Sequence, residues 1–411
     1  MGEISFTVDA VLAAARDKAG LPGVGIDEVV PALERWLQAQ RDEALLSEAG
    51  RQAAFRQATE HVANRLALED HFNNHPEISE QQIEAPLFVV GLYRSGTTKL
   101  HHLLCADDRW TYLRTWEVMY PAPLDDIAHG ASDTRRTLAQ QRLDRLGKSS
   151  PGVFDAHPMS IEEPEEDFLL MAQSFLTPNI GQQTPSYNRW LEQQDAGTMY
   201  RFLYRQLQLL QWQQRLTDPR PRRLCLKAPV HLEFLEELID VFTDARVVLT
   251  HRDPAKSVAS NCLMMEAYHQ KYTDDVDLFA LGEEVLRKSA RALDNSLRAR
   301  ASLPPGTLFD VTFSDIVKRP MTLIPTVYEY AGMSLTADAD AALSAAAAEG
   351  DRHKSAEAHR YDAARYGLNE DRIHQTTARY LEWSIETLGV DLRQGSQQSA
   401  TQGLAIRQDY K

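Results

Sequence analysis

The chain has 411 residues, so at about 150 residues per domain it holds two or three domains, or one large domain with additions, and can bury a sizeable core. With 43% hydrophobic and 25% charged residues it is neither collagen-like nor wholly disordered. Its 59 acidic and 44 basic side chains give a net charge of -15, which argues against a broad electrostatic footprint for nucleic acid and leaves any anionic ligand to a local cluster.

From the N-terminus, Met1-Gly2-Glu3-Ile4 shows no basic segment followed by an apolar stretch, and no later run reaches the roughly 18 apolar residues of a membrane span. The expectation is a cytoplasmic protein with no integral membrane segment. Residues 6 to 73 carry apolar positions at three- and four-residue intervals, such as Val8, Val11, Leu12 and later Leu33, Trp36, Leu37, and predict a helical region over 1–80. It is the candidate surface for homo-oligomerisation, the oligomeric state itself being undetermined from sequence. Asn73-Asn74-His75-Pro76 breaks the pattern, and Leu87-Phe88-Val89-Val90 is a run too short for a helix and apolar throughout, which predicts a buried strand. Further strand candidates are Leu224-Cys225-Leu226, Arg246 to Thr250 and Thr307 to Val311. Strands alternating with helices predict an α/β, three-layer fold around a central, mainly parallel sheet. Within a domain of 81–395, residues 107–222 read as a helical insertion, with helices near 165 to 175 and 198 to 216. The alanine-rich stretch 337 to 349 is also helical in pattern, and 396–411 is a polar tail. Cys105, Cys225 and Cys262 are widely spaced in apolar runs and read as reduced core residues without zinc-ligand spacing.

Directly after the first strand stands Gly91-Leu92-Tyr93-Arg94-Ser95-Gly96-Thr97-Thr98, with two glycines at the Walker spacing. Glycine permits the tight turn that points backbone N–H groups and a helix N-terminus at an anion. The position at which nucleoside triphosphatases keep their phosphate-binding lysine is Thr97, and Arg94 is the loop's cation instead. Without that lysine, triphosphate chemistry is disfavoured and a less highly charged sulfuryl group fits better. A second basic cluster follows. Arg252, in His251-Arg252-Asp253-Pro254, ends one strand and Ser260 lies two turns along the next helix, while Lys227, in Lys227-Ala228-Pro229-Val230-His231, ends another. In an open parallel sheet the carboxyl ends of the strands are where ligands bind.

These motifs resemble the sulfotransferases that use 3′-phosphoadenosine 5′-phosphosulfate (PAPS), most closely the bacterial branch with an Arg-Ser-Gly-Thr-Thr loop that is related to tyrosylprotein sulfotransferases. The resemblance spans about residues 86 to 265 and implies a P-loop fold. It assigns the 5′-phosphosulfate to Arg94, Ser95, Gly96, Thr97 and Thr98, the 3′-phosphate to Arg252 and Ser260, and the sulfate bridge to Lys227. Val311 to Pro320 resembles the family's next strand and helix, with Phe313 where tyrosine is common. The glycine-flanked Arg-Lys motif of the animal cytosolic enzymes is absent and their tryptophan after the loop is Lys99, leaving Arg352 or Lys354 as candidates at the adenosine end. The implied chemistry is in-line transfer to the hydroxyl of a small-molecule acceptor, with Arg94 and Lys227 stabilising the departing bisphosphate and no metal or covalent enzyme intermediate required.

Transfer to an alcohol needs a general base. Glu117, in Thr115-Trp116-Glu117-Val118, resembles a family glutamate in that role and has apolar neighbours that would raise its pKa. His157 and His231 compete with it, imidazole being the commonest base near neutrality, and His231 alternatively positions the helix after Lys227. The acidic run Glu162 to Asp167 reads as a solvated helix start rather than a metal site, and His101 and His102 either border the acceptor or pack. The rival functions are a P-loop small-molecule kinase, which would depend on magnesium and ATP, and a nucleotide-binding module that transfers nothing.

Overall fold

The computed structural model describes residues 5–22, 26–124, 133–352 and 362–397. Lys354 and tail positions 398–411 lie outside the described residues. The chain divides into two compact units. One contains residues 1–83, 113–220 and 264–277, so the N-terminal helices and most of the segment expected as an insertion share it. The other contains the described residues of 84–112, 221–263 and 278–397 and carries the sheet.

In the helical unit, Val8–Ala19, Val30–Asp42 and Glu48–Asn74 form the N-terminal helices. Thr7 and Ser47 start the first and third of them, each side-chain oxygen accepting a backbone N–H of the first turn. Their apolar faces close over a core that includes Val11, Leu33, Trp36, Val62 and Leu66, joined by Phe175 and Tyr187. The long helix Ala196–Thr217 matches the expected 198 to 216. The helix expected at 165 to 175 is shorter: a turn at Phe168–Met171 passes into a 3-10 turn, Ala172–Ser174, and ends where Phe175 adopts a left-handed φ of 53°.

In the other unit the strands are β1 (Leu87–Gly91), β2 (Trp110–Thr111), β3 (Arg223–Lys227), β4 (Arg246–His251) and β5 (Leu308–Thr312). All pairings are parallel, in the order β2-β3-β1-β4-β5. Every residue of β1 is buried, as expected of a central strand covered on both faces. β2 has only two residues, too few to show a strand pattern in sequence, and exists through its pairing with Arg223 and Leu224. The alanine-rich segment forms the helix Ala337–Arg352. Leu87, Val89, Leu100, Leu104, Val248 and Ile316 contribute to the core of this unit. No helix among the described residues is long and apolar enough to cross a membrane.

Candidate functional site

The strand order places β1 between β3 and β4, so the loops leaving three adjacent strands emerge side by side at one edge of the sheet. Along that edge Val89 pairs with Lys227, and Gly91 with Thr250. The first loop turns on two left-handed residues, Arg94 at φ 67° and Gly96 at φ 95°, and opens the helix Thr97–Leu104. The first turn of a helix leaves its N–H groups without intrahelical acceptors and carries the positive end of the dipole, so this one is built to receive an anion.

The loop is braced from below. A Cβ on Gly91 would lie 2.1 Å from the Thr250 hydroxyl and 2.7 Å from that of Ser95, so the strand end passes where only glycine fits. Ser95 is buried; its hydroxyl donates to Leu92 O at 2.6 Å and lies 2.6 Å from Thr250 Oγ1, while its N–H donates to the same carbonyl. Its polar groups therefore hold the turn, a role that spacing alone did not indicate. Gly96 backs onto Phe313, the residue at the position where tyrosine is common in the resembling family.

The predicted cations meet at this loop. Arg94 Nε donates to Ser260 Oγ at 3.1 Å, from the helix Pro254–Gln270, and Arg252 Nη1 donates to Arg94 O at 2.6 Å. The Arg252 guanidinium also lies over the Phe313 ring, 4.1 Å from its centroid, a cation–π contact that fixes its plane. Asp253 caps the following helix through Ala255 N and takes a bond from His374 Nε2 at 2.8 Å. On the other side, Lys227 is 1% exposed and donates from Nζ to Thr98 Oγ1 at 3.3 Å. Arg94, Thr98, Lys227, Arg252 and Ser260 thus form one linked constellation, with Gly96 and Thr97 in the turn between them.

The remaining site candidates have different surroundings. His231 is wholly buried in the turn after β3, its ring edge-on to Phe88 at 5.1 Å. His101 is equally buried and its Nε2 donates to Cys225 O. In the helical unit, Glu117 is 3% exposed and closes the first turn of its own helix: Oε2 accepts Arg114 N–H at 2.8 Å and Oε1 accepts the guanidinium at 3.2 Å. Burial raises the Glu117 pKa above its ordinary value, against the opposing pull of Arg114 and Arg135. His157 Nε2 contacts the two oxygens of the buried Glu165 at 3.1 and 3.2 Å. Within the acidic run, Glu162 pairs with Arg136 and Arg114, and Asp167 O starts the turn at Phe168.

Comparison with known proteins agrees with this geometry. A family model described as the sulfotransferase family matches residues 86–338, which hold both sides of the constellation. The omega-hydroxy-beta-dihydromenaquinone-9 sulfotransferase Stf3 of Mycobacterium bovis is 22% identical over 256 residues, 61% of this chain and 63% of its own length, and that of Mycobacterium tuberculosis matches equally. The alignment thus spans less than two thirds of these curated relatives. Among solved structures, the sulfotransferase STF1 of M. tuberculosis H37Rv superposes with a TM-score of 0.79 at 28% identity, covering 91% of this chain and 98% of its own. STF9 of Mycobacterium avium superposes with a TM-score of 0.79 at 26% identity, over 93% and 97%. With the matched region covering more than half of its length and including the cationic loop, the chain belongs to the sulfotransferase family.

Proposed function

We propose that the protein transfers a sulfuryl group from PAPS to a hydroxyl of a small-molecule acceptor. The observation that carries this reading is the anion cradle: a glycine turn with no Walker lysine, flanked by the buried Lys227 ammonium and by Arg94 and Arg252. The residues fit such a donor, because the missing Cβ at Gly91 lets the strand end close under the loop and the cations stand at the ends of three adjacent strands, β3, β1 and β4. The backbone of Gly96, Thr97 and Thr98 would hold the phosphosulfate, and Arg252 with Ser260 the 3′-phosphate. The donor supplies an activated sulfuryl group. Lys227 and Arg94 supply positive charge where negative charge develops on the leaving side, and fixed donors are worth most in a site removed from bulk water.

For the base, Glu117 supplies a carboxyl whose pKa is raised by burial, and His157 supplies an imidazole oriented by Glu165. His231 has no exposed surface, which favours a packing role for it. That two relatives bear the name of a hydroxylated menaquinone supports an apolar alcohol as the acceptor class. Calorimetric titration with adenosine 3′,5′-bisphosphate tests the donor site: binding should saturate at one site and persist in a chelator. A panel of apolar alcohols with labelled PAPS then tests transfer. Preference for magnesium–ATP over the bisphosphate would replace this reading with the kinase one.

A further inference from the structure

The helix that follows the anion loop carries His101, Cys105 stands one turn on at its C-cap, and β3 brings Cys225 against them. One ligating atom from each of the three lies within 4.8 Å of the others. Cys225 and His101 are buried and Cys105 is half-buried. The contact of His101 Nε2 with Cys225 O, at 3.0 Å, fixes the tautomer, since a carbonyl only accepts; the proton is on Nε2 and the lone pair on Nδ1. Metal-binding imidazoles are commonly set in this way, the second ring nitrogen donating to a backbone carbonyl.

We propose that His101, Cys105 and Cys225 form a binding site for one monovalent, thiophilic d10 ion, copper(I). Two thiolates and an imidazole are the soft donor set that selects copper(I) or zinc. Zinc on these three donors would need a water as its fourth ligand, since among the described residues the cluster contains no fourth histidine, cysteine or carboxylate, and His101 and Cys225 are fully buried. Copper(I) is satisfied by two or three. With metal–sulfur bonds of about 2.3 Å, trigonal ligands stand about 4 Å apart, a spacing compatible with three ligand atoms that lie within 4.8 Å of one another. Binding releases one proton from each thiol as the two sulfur–copper bonds form, and no electron is transferred. The buried Lys227 ammonium, whose charge acts on Cys105, would offset the single negative charge of a copper(I) bis-thiolate. This goes beyond the proposed transfer and does not depend on it.

The test is an oxygen-free titration of the reduced, full-length protein with copper(I) against a colorimetric copper(I) chelator, with zinc(II) in parallel against a zinc indicator. Wild type and Cys262→Ala should each withhold one equivalent of copper(I), with a charge-transfer absorbance in the near ultraviolet, and should not retain zinc. Cys105→Ala and His101→Gln should each bind at least a hundredfold more weakly; the glutamine amide can still donate to Cys225 O. Circular dichroism checks folding, and either folded variant suffices for the comparison. No copper withheld by wild type, equal retention by the folded variants, or retention of zinc in preference would overturn the proposal.

Discussion

Gly91 occupies a point where the strand end, the loop and β4 converge, and its lack of a side chain has a measurable consequence. In Gly91→Ala the new methyl group would meet the Thr250 and Ser95 oxygens, both already committed to bracing the turn. Relieving such overpacking costs about 1–3 kcal/mol and displaces the loop, so bisphosphate affinity should fall at least tenfold while the far-ultraviolet circular dichroism stays native. Unchanged calorimetric affinity would show that the loop does not hold the ligand. Lys227 and Arg94 differ in kind, since each supplies charge rather than shape. Replacing either with alanine should lower turnover at least tenfold, about 1.4 kcal/mol or more in the barrier, and turnover unchanged in both would remove their assigned roles. The base can be separated in the same assay. Gln at position 117 retains an acceptor for the Arg114 N–H but cannot take a proton, whereas His157→Asn leaves Glu117 intact. If Glu117 is the base, activity appears only as pH rises through its raised pKa, and Glu117→Gln removes that limb of the pH–rate profile along with most of the turnover; loss in His157→Asn alone would transfer the role to the imidazole.

The elements that carry the site are joined by a polar tie between β4 and β5. His251, the residue before Arg252, contacts Asp310 Oδ1 through Nε2 at 2.8 Å and Tyr380 Oη through Nδ1 at 2.8 Å, while Arg300 pairs with the same aspartate. Burial alone would raise the Asp310 pKa, but the His251 bond and the charges of His251 and Arg300 outweigh it and pull it down to about 2. A depressed carboxylate pKa contributes stability above its ordinary value that is lost as pH falls through the folded value, here about 2 kcal/mol lost below about pH 4. Thermal melts of Asp310→Asn should therefore show a lower Tm at neutral pH and a shallower decline in acid; melts matching wild type would count against the tie. This coupling was not legible in the sequence, because Asp310 and His251 lie 59 positions apart and only strand pairing brings them together. What was legible had a local cause. Leu87 to Val90 reads as a strand because both faces are buried, and the loop reads as an anion turn because glycine spacing reports backbone conformation directly. β2 escaped notice for want of length. The cluster of His101, Cys105 and Cys225 escaped because its ligands come from two elements.

At the scale of the molecule, the chain carries a net charge of -15 while its proposed donor site gathers cations. The two effects act over different distances. Lys227, Arg94 and Arg252 meet at hydrogen-bonding range around the loop, where intervening salt has little room to screen, whereas any carboxylate farther off than the Debye length, about 10 Å at 0.1 M, is largely screened. Raising ionic strength should consequently screen the long-range repulsion more than the short-range capture. The association rate of adenosine 3′,5′-bisphosphate, measured by stopped flow, should therefore hold steady or rise from low to physiological salt. In a protein steered by a broad basic surface it would fall steeply. A steep fall here would mean that the acidic excess lies away from the approach to the loop and that the cations extend their field well beyond the cradle. Lys227→Ala sharpens the comparison: it should slow bisphosphate capture by a similar factor at every salt concentration, because it removes a contact and leaves the distant charges in place.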